Sequence, residues 1–335
     1  MRFEALSLDD ALRKAAEQDR LVLVDVYARW CGPCHQLDRE SFVHADVVAE
    51  TDAHFVALKI DGEQGDGPEV MRRYHVVGFP TLLVLRPDGT ELDRVFGFQA
   101  GPDLAGTLRG YRAGQGTLAQ RLAEARERPE DLELTTEVAL RSIVRGDMKT
   151  ARPLVARVTR ADPDNQRGLA SKVLFHVARY HHLRGEQSWR AALGAFADLA
   201  RRYPTSAEVA GGAFAIDTAK AQHRLGRDAE AMATLERYVG QGPDDVDRYN
   251  TVAFFLYREG WALPRAEGFA RHGLAVGPGD ASLWDTLAEI LAARGKLDEA
   301  VGAAERAQVL DPEAPYYGLQ VTRFRRMVAE APPRQ

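Results

Sequence analysis

The chain has 335 residues, 45% of them hydrophobic and 28% charged, which is the composition of a folded globular protein of about two domains and not of a disordered one. A net charge of −5 argues against a surface built to read nucleic-acid phosphates. No apolar run reaches the roughly 18 residues of a membrane span, and the start, Met1 to Asp10, lacks the apolar core of a signal peptide. A cytoplasmic protein is therefore expected, or a periplasmic one if an export signal precedes this stretch.

Residues 1–112 alternate helix and strand signals. Leu6 to Gln18 shows helical spacing, with Ser7 as N-cap and Asp9 and Asp10 in the first turn. Leu21 to Tyr27 is a continuous β-branched run, the mark of a strand buried on both faces. Cys31-Gly32-Pro33-Cys34 then opens a helix. Asp46 to Thr51 predicts a short helix, Phe55 to Ile60 a strand, and Pro68 to Tyr74 a helix that starts on proline. Thr81 to Leu85 and Glu91 to Phe96 flank the turn Pro87-Asp88-Gly89 as a hairpin. Pro102 to Tyr111 closes the set with a helix, so an α/β sandwich is expected. Gly110 to Gly116 predicts a linker, and Thr117 to Arg128 a connecting helix.

The rest reads as helix throughout, and it repeats. Gly146, Ala151 and Pro163 recur as Gly226, Ala231, Pro243 and as Gly295, Ala300, Pro312, with identical spacing. Looser copies run from Ser171 to Pro204, through Gly185, Ala192 and Phe196, and from Val246 to Pro278. Glycine allows the turn between paired helices. Ala139, Ala219, Ala253 and Ala288 allow close approach, and proline ends the second helix. A helix pair repeating at 34 residues resembles the tetratricopeptide repeat. Stacking about five such pairs buries faces that one pair leaves open. The expected organisation is an α/β domain over 1–112, a linker and connecting helix over 113–131, and an all-α tetratricopeptide solenoid over 132–330. Pro315 to Glu330 is expected as its polar capping helix.

The chain has only two cysteines, and they share one C-x-x-C, which looks like chemistry and not a disulfide framework. With no second C-x-x-C, and with His181 and His182 adjacent and so on different sides of a helix, a metal site is not expected. Cys31 to His35 also spells the c-type haem attachment string. A position after a buried strand, without an export signal, weighs against haem, and no cofactor is expected.

Val24-Asp25-Val26-Tyr27-Ala28-Arg29-Trp30-Cys31-Gly32-Pro33-Cys34 resembles the active site of the thioredoxin family. Gly78-Phe79-Pro80-Thr81 resembles its cis-proline loop. The resemblance covers residues 1 to about 112. Ser41 to Val48 departs from plain thioredoxin and looks like the branch holding the C-terminal domain of DsbD, the disulfide reductase of bacterial envelopes. Exchange needs a thiolate. Cys31 lies where a helix N-terminus favours one, while Cys34, one turn in, resolves the mixed disulfide. Asp25 interrupts an apolar strand, a costly place for a carboxylate without a role. The resemblance implies that it exchanges a proton with Cys34 and has Lys59 as charge partner. It also implies that Trp30, Gly32, Pro33, Phe79 and Pro80 contact an extended substrate, although both aromatics could equally be core.

Trp284, Phe254, Tyr257 and Trp261 read as core or turn packing in the repeats. Asp285 and Glu289 read as a solvated face. The lysine–asparagine pattern of a C-terminal carboxylate clamp is absent. The expected protein is a thiol–disulfide oxidoreductase, a disulfide reductase of protein substrates, whose repeats bind a partner or client. Its expected partners are protein disulfides, that client, and a reductant such as a thioredoxin reductase or a membrane electron donor, with neither nucleic acid nor membrane. The alternative is a redox-linked holdase or scaffold that protects client thiols.

Overall fold

The computed structural model describes residues 1–183 and 186–330. Gly185, expected in the second helical unit, lies outside them, as does the His182 side chain. The chain divides into two compact units, Met1–Arg184 with Asp198–Ala207, and Gly185–Ala197 with Glu208–Gln335.

In the first unit, Ser7 caps α1 (Leu8–Gln18) by accepting the Asp10 N–H at 3.1 Å. After β1 (Leu21–Tyr27), α2 (Gly32–Gln36) runs directly into a π-helical turn over Leu37–Ser41. Next come α3 (Ala45–His54), β2 (Phe55–Asp61), α4 (Gly67–Arg73), β3 (Thr81–Leu85), β4 (Glu91–Phe96) and α5 (Gly101–Arg112). The sheet order is β2-β1-β3-β4. β1 is parallel to β2 and antiparallel to β3, which is antiparallel to β4.

Alternation along the strands sorts the core into two faces. Val22, Val24, Val56 and Leu83 pack with Leu12 of α1 and Val70 of α4. Leu23, Leu82, Val84 and Val95 pack with Leu37, Phe42, Val47 and Leu104. Asp25 shares the parity of Leu23, so it belongs to the face covered by Leu37 in the turn that continues α2.

The expected linker begins later than its glycines imply, because α5 continues to Arg112. Leu104, Leu108 and Tyr111 repeat on one buried face, and that face carries the helix through Gly110. Thr117 then caps α6 (Leu118–Glu127), followed by α7 (Leu132–Val144), α8 (Met148–Ala161) and α9 (Leu169–Leu183). α7 is fastened to β4. Arg141 Nη2 donates to Asp93 Oδ2 at 2.8 Å, Arg145 pairs with Asp93 Oδ1, and Arg145 Nε donates to Glu91 at 3.2 Å. The Asp93 side chain has no exposed surface and also accepts the Leu118 N–H at 2.5 Å. A buried carboxylate is tolerated when it is paired this completely.

The remaining helices are α10 (Glu186–Arg202), α11 (Ala207–Ala210), α12 (Ala215–Arg224), α13 (Asp228–Gly240), α14 (Val246–Arg258), α15 (Leu263–Val276), α16 (Ala281–Ala293), α17 (Leu297–Leu310) and α18 (Pro315–Glu330). In the second unit, residues from α12 through α18 share one core that includes Leu235, Leu256, Leu287 and Phe324. The turn glycines Gly226, Gly260 and Gly295 sit at φ of 75°, 62° and 74°, conformations open to glycine and strained for other residues. The four alanines expected to let helices approach are fully buried. The architecture is thus a thioredoxin-like α/β part followed by tetratricopeptide-type helix pairs. Among the described residues no helix is long and apolar enough to cross a membrane.

Candidate active site

Cys31 and Cys34 are joined in a disulfide. Cys31 is the N-cap of α2, and its Sγ accepts the Cys34 N–H at 3.2 Å. The N-cap position arises because the extended Cys31 backbone ends the loop after β1 and Gly32-Pro33 start the helix, with proline where its missing N–H costs nothing. An N–H aimed at the sulfur and the start of a helix both favour a thiolate there. Both cysteines are buried, Cys34 slightly more so. Gly32 and Pro33 are exposed, and a Cβ added at Gly32 would meet nothing within 4 Å. The surface over the disulfide is therefore open on that side.

Ala28, Cys31, Cys34, Tyr27 and Phe79 form one small apolar cluster. Trp30 is 39% exposed and meets Phe79 edge-on, with centroids 5.9 Å apart. Its indole N–H donates to Glu63 at 2.9 Å, which fixes the ring. The Phe79–Pro80 peptide is cis; Phe79 is half-buried and Pro80 buried. The loop continues into β3, where the Thr81 hydroxyl donates to the Gly78 carbonyl at 2.8 Å. The predicted contact residues thus gather around the disulfide, with Trp30, Gly32 and Pro33 at the surface.

Asp25 has no exposed surface. Strand register sets it directly opposite Lys59 of β2, and Lys59 Nζ lies 3.5 Å from Oδ2. That contact is an ion pair without hydrogen-bond geometry, and neither Asp25 oxygen has a hydrogen-bond partner. Burial pushes the Asp25 carboxyl up to about 7; the Lys59 ammonium opposes the rise and the Asp38 carboxylate adds to it. Lys59 also donates to Asp38 and lies 4.8 Å from the Tyr27 ring centroid. Lys59 is therefore divided between two acids.

Two residues of this site, Asp38 and Glu63, carry no expectation from the sequence, and Arg29 stands in the motif without a role. Asp38 stands four residues after Cys34, a helical-turn spacing that could have flagged it. Arg29 pairs with Asp61 at 3.0 Å, and its carbonyl contacts His35 Nε2 at 2.7 Å. Nothing in the sequence pattern signals those contacts.

One expectation fails outright. Asp285 and Glu289 are not a solvated face. Asp285 accepts from the Tyr316 hydroxyl at 3.2 Å and from Gln320 Nε2 at 3.3 Å. Glu289 accepts from Gln320 at 2.7 Å, Arg323 at 2.6 Å and the Tyr257 hydroxyl at 2.9 Å. Burial pushes Asp285 up to about 7, helped by the Glu289 charge. The physical reason is α18. This helix is not polar throughout; it buries Gln320, Val321 and Phe324 and brings its donors onto α16. Among the described residues no group of three or more His, Cys, Asp or Glu side chains is placed to hold a metal ion.

The family model described as Thioredoxin-like matches residues 2–87. The chain is similar to a thiol:disulfide interchange protein DsbD from Colwellia psychrerythraea, 32% identical over 107 residues, covering 30% of this chain and 17% of that one. A second DsbD, from Pseudomonas fluorescens, is 36% identical over 25% of this chain and 15% of its own length. The chain thus spans about a sixth of those two relatives. A tetratricopeptide repeat protein from Parabacteroides merdae has a TM-score of 0.43 at 14% identity, covering 60% of this chain and 75% of that chain. Thioredoxin from Staphylococcus aureus is 36% identical over 86 residues, 26% of this chain and 77% of that protein. Through its N-terminal domain, with the Cys31–Cys34 pair, the chain belongs to the thioredoxin family.

Proposed function

We propose that the protein is a disulfide reductase of protein substrates, with Cys31 as nucleophile, Cys34 as resolving thiol and Asp25 as the proton acceptor for Cys34. The observation that carries this reading is Cys31 at the N-cap of α2, its sulfur accepting the Cys34 N–H at 3.2 Å. In the reduced enzyme the same N–H and helix start stabilise a Cys31 thiolate. That thiolate attacks one sulfur of the substrate disulfide and forms a mixed disulfide, and the departing substrate thiolate takes up a proton. Cys34 then gives its proton to Asp25 and attacks the Cys31 sulfur, which releases the second substrate thiolate. Two electrons pass to the substrate and the Cys31–Cys34 bond forms. An external dithiol, from a soluble thioredoxin-reductase-type donor or a membrane donor, restores the reduced pair.

Asp25 suits this role because an acid that titrates near 7 can take a thiol proton and return it at neutral pH. Lys59 steadies the ionised state and Asp38 limits that effect. Trp30 and Phe79, with Gly32, Pro33 and Pro80, frame the substrate chain. The helix pairs contribute client binding and no thiol, since both cysteines lie in the α/β domain.

Trapping tests the assignment. With the full-length Cys34→Ser chain and an excess of a peptide disulfide, mass spectrometry should find one mixed disulfide, on Cys31. Cys31→Ser should form none under the same conditions. A stable adduct on Cys34 in the Cys31→Ser chain would reverse the two roles.

A further inference from the structure

The space beside Gly62 and Met71 is not bounded by the α/β domain alone. Gly62, just after β2, sits under Phe79 and Met71 of α4. A Cβ there would fall 2.5 Å from the Phe79 ring and 2.8 Å from the Met71 sulfur. Beyond this floor opens a cleft of about 590 Å³. Its far wall is helical: Gly146, in the turn between α7 and α8, and Tyr180 of α9. A Cβ at Gly146 would lie 3.7 Å from the Tyr180 ring and 3.8 Å from the His75 ring, so turn, tyrosine and histidine converge there.

We propose that this cleft holds the stretch of a protein substrate next to its reactive cysteine, and that it selects an aromatic or large apolar residue beside an acidic one. The proposal rests on the thiol–disulfide reading above. Continuity places the occupant: Gly62, which lines the cleft, lies against the Phe79 ring, and that ring packs on both Trp30 and the Cys31–Cys34 cluster. The volume lies in the range of binding pockets, enough for two or three side chains. The lining gives the chemistry. Met71, Val77 and Tyr180 offer apolar surface. Arg72 and His75 are exposed on the rim, no carboxylate lines the cleft, and among the described residues no carboxylate pairs with Arg72. An anionic side chain is the complement of such a rim. Tyr180 thereby becomes a specificity-determining residue supplied by the helical repeats to a centre in another part of the fold.

The test uses the full-length chain and three substrates: a peptide disulfide flanked by phenylalanine and glutamate, the same peptide with serine and lysine, and bis(2-hydroxyethyl) disulfide. The reading is the ratio of kcat/KM for each peptide to that for the small disulfide. The unaltered chain should favour the Phe/Glu peptide over the Ser/Lys peptide by about tenfold, the discrimination one well-fitted contact supplies. Tyr180→Ala should cut the Phe/Glu ratio by about five- to tenfold, and Tyr180→Phe should restore most of it. Arg72→Glu should shift the preference toward the lysine peptide. Equal ratios for the two peptides, or ratios that the variants leave unchanged, would overturn the proposal. Turnover of all three substrates falling in step is the mark of a structural role for Tyr180 and counts against it too. If sedimentation shows that Tyr180→Ala and Arg72→Glu dissociate a dimer while the ratios hold, the cleft joins copies of the chain and the proposal fails. No turnover of any substrate by the unaltered chain would instead defeat the thiol–disulfide reading itself.

Discussion

Asp25 in β1 and Asp285 in α16 are both pushed up to about 7, in each case mainly by burial. Their surroundings differ. Asp285 has the Tyr316 hydroxyl on one oxygen and the Gln320 amide on the other. Asp25 has only an ammonium at 3.5 Å, shared with Asp38, and no hydrogen bond on either oxygen. A raised pKa therefore does not mark function by itself. A buried carboxylate held by two donors is a structural joint. One that lacks donors, on the sheet face covered by Leu37 in the turn that continues α2, is free to accept a proton.

A third buried acid sharpens the contrast. Asp93 is paired by two arginines and a backbone N–H. Asp93→Ala removes the carboxylate and leaves Arg141 and Arg145 without it. Chemical denaturation should show a loss of about 3–5 kcal/mol, the cost typical of breaking a buried pair. A loss under about 1 kcal/mol would mean that α7 is not fastened to β4 by this network.

Next in size is Asp25→Asn. The folded state holds the Asp25 proton more tightly than the unfolded chain does. Its stability contribution is therefore complete below about pH 4 and is lost as pH rises through about 7. Asparagine cannot ionise, so at pH 8 the variant should be more stable by roughly 2–4 kcal/mol, a gain that fades toward pH 4. Lys59 keeps Asp38 as a partner and is not stranded. A variant less stable than the parent at pH 8 would make Asp25 a structural acid like Asp285. The smallest effect belongs to Tyr316→Phe, which removes the hydrogen bond to Asp285 and the one that Gln320 Nε2 donates to the same hydroxyl at 2.7 Å, and should cost about 1–2 kcal/mol. Coincident unfolding curves for variant and parent would show that these bonds contribute nothing.

The sheet and the redox motif were legible because their signals are local. The run Leu21 to Tyr27 is bounded as the strand is, and Cys31-Gly32-Pro33-Cys34 carries its own helix start. The Asp25–Lys59 pair came from the family resemblance, and parallel register places the two directly opposite. What escaped depends on distant partners. Asp285 and Glu289 look solvated until Gln320 and Arg323 arrive from more than 30 residues away. Gly110 fell in both the expected helix Pro102 to Tyr111 and the expected linker, and Tyr111, which docks its hydroxyl on the Arg94 carbonyl at 3.2 Å, keeps it in the helix. Asp38 was hidden by a divided role, since Lys59 was assigned to one acid and serves two.

The central claim is that Asp25 takes the Cys34 proton as the mixed disulfide resolves. Stopped-flow measurement of that resolution step between pH 5 and 9 tests it most directly, in the full-length chain and in Asp25→Asn. The parent rate should rise with an apparent pKa near 7, where Asp25 becomes a base, and the variant should lose that rise and react about 10²-fold more slowly at pH 8. Superimposable pH–rate curves for the two chains would contradict the account.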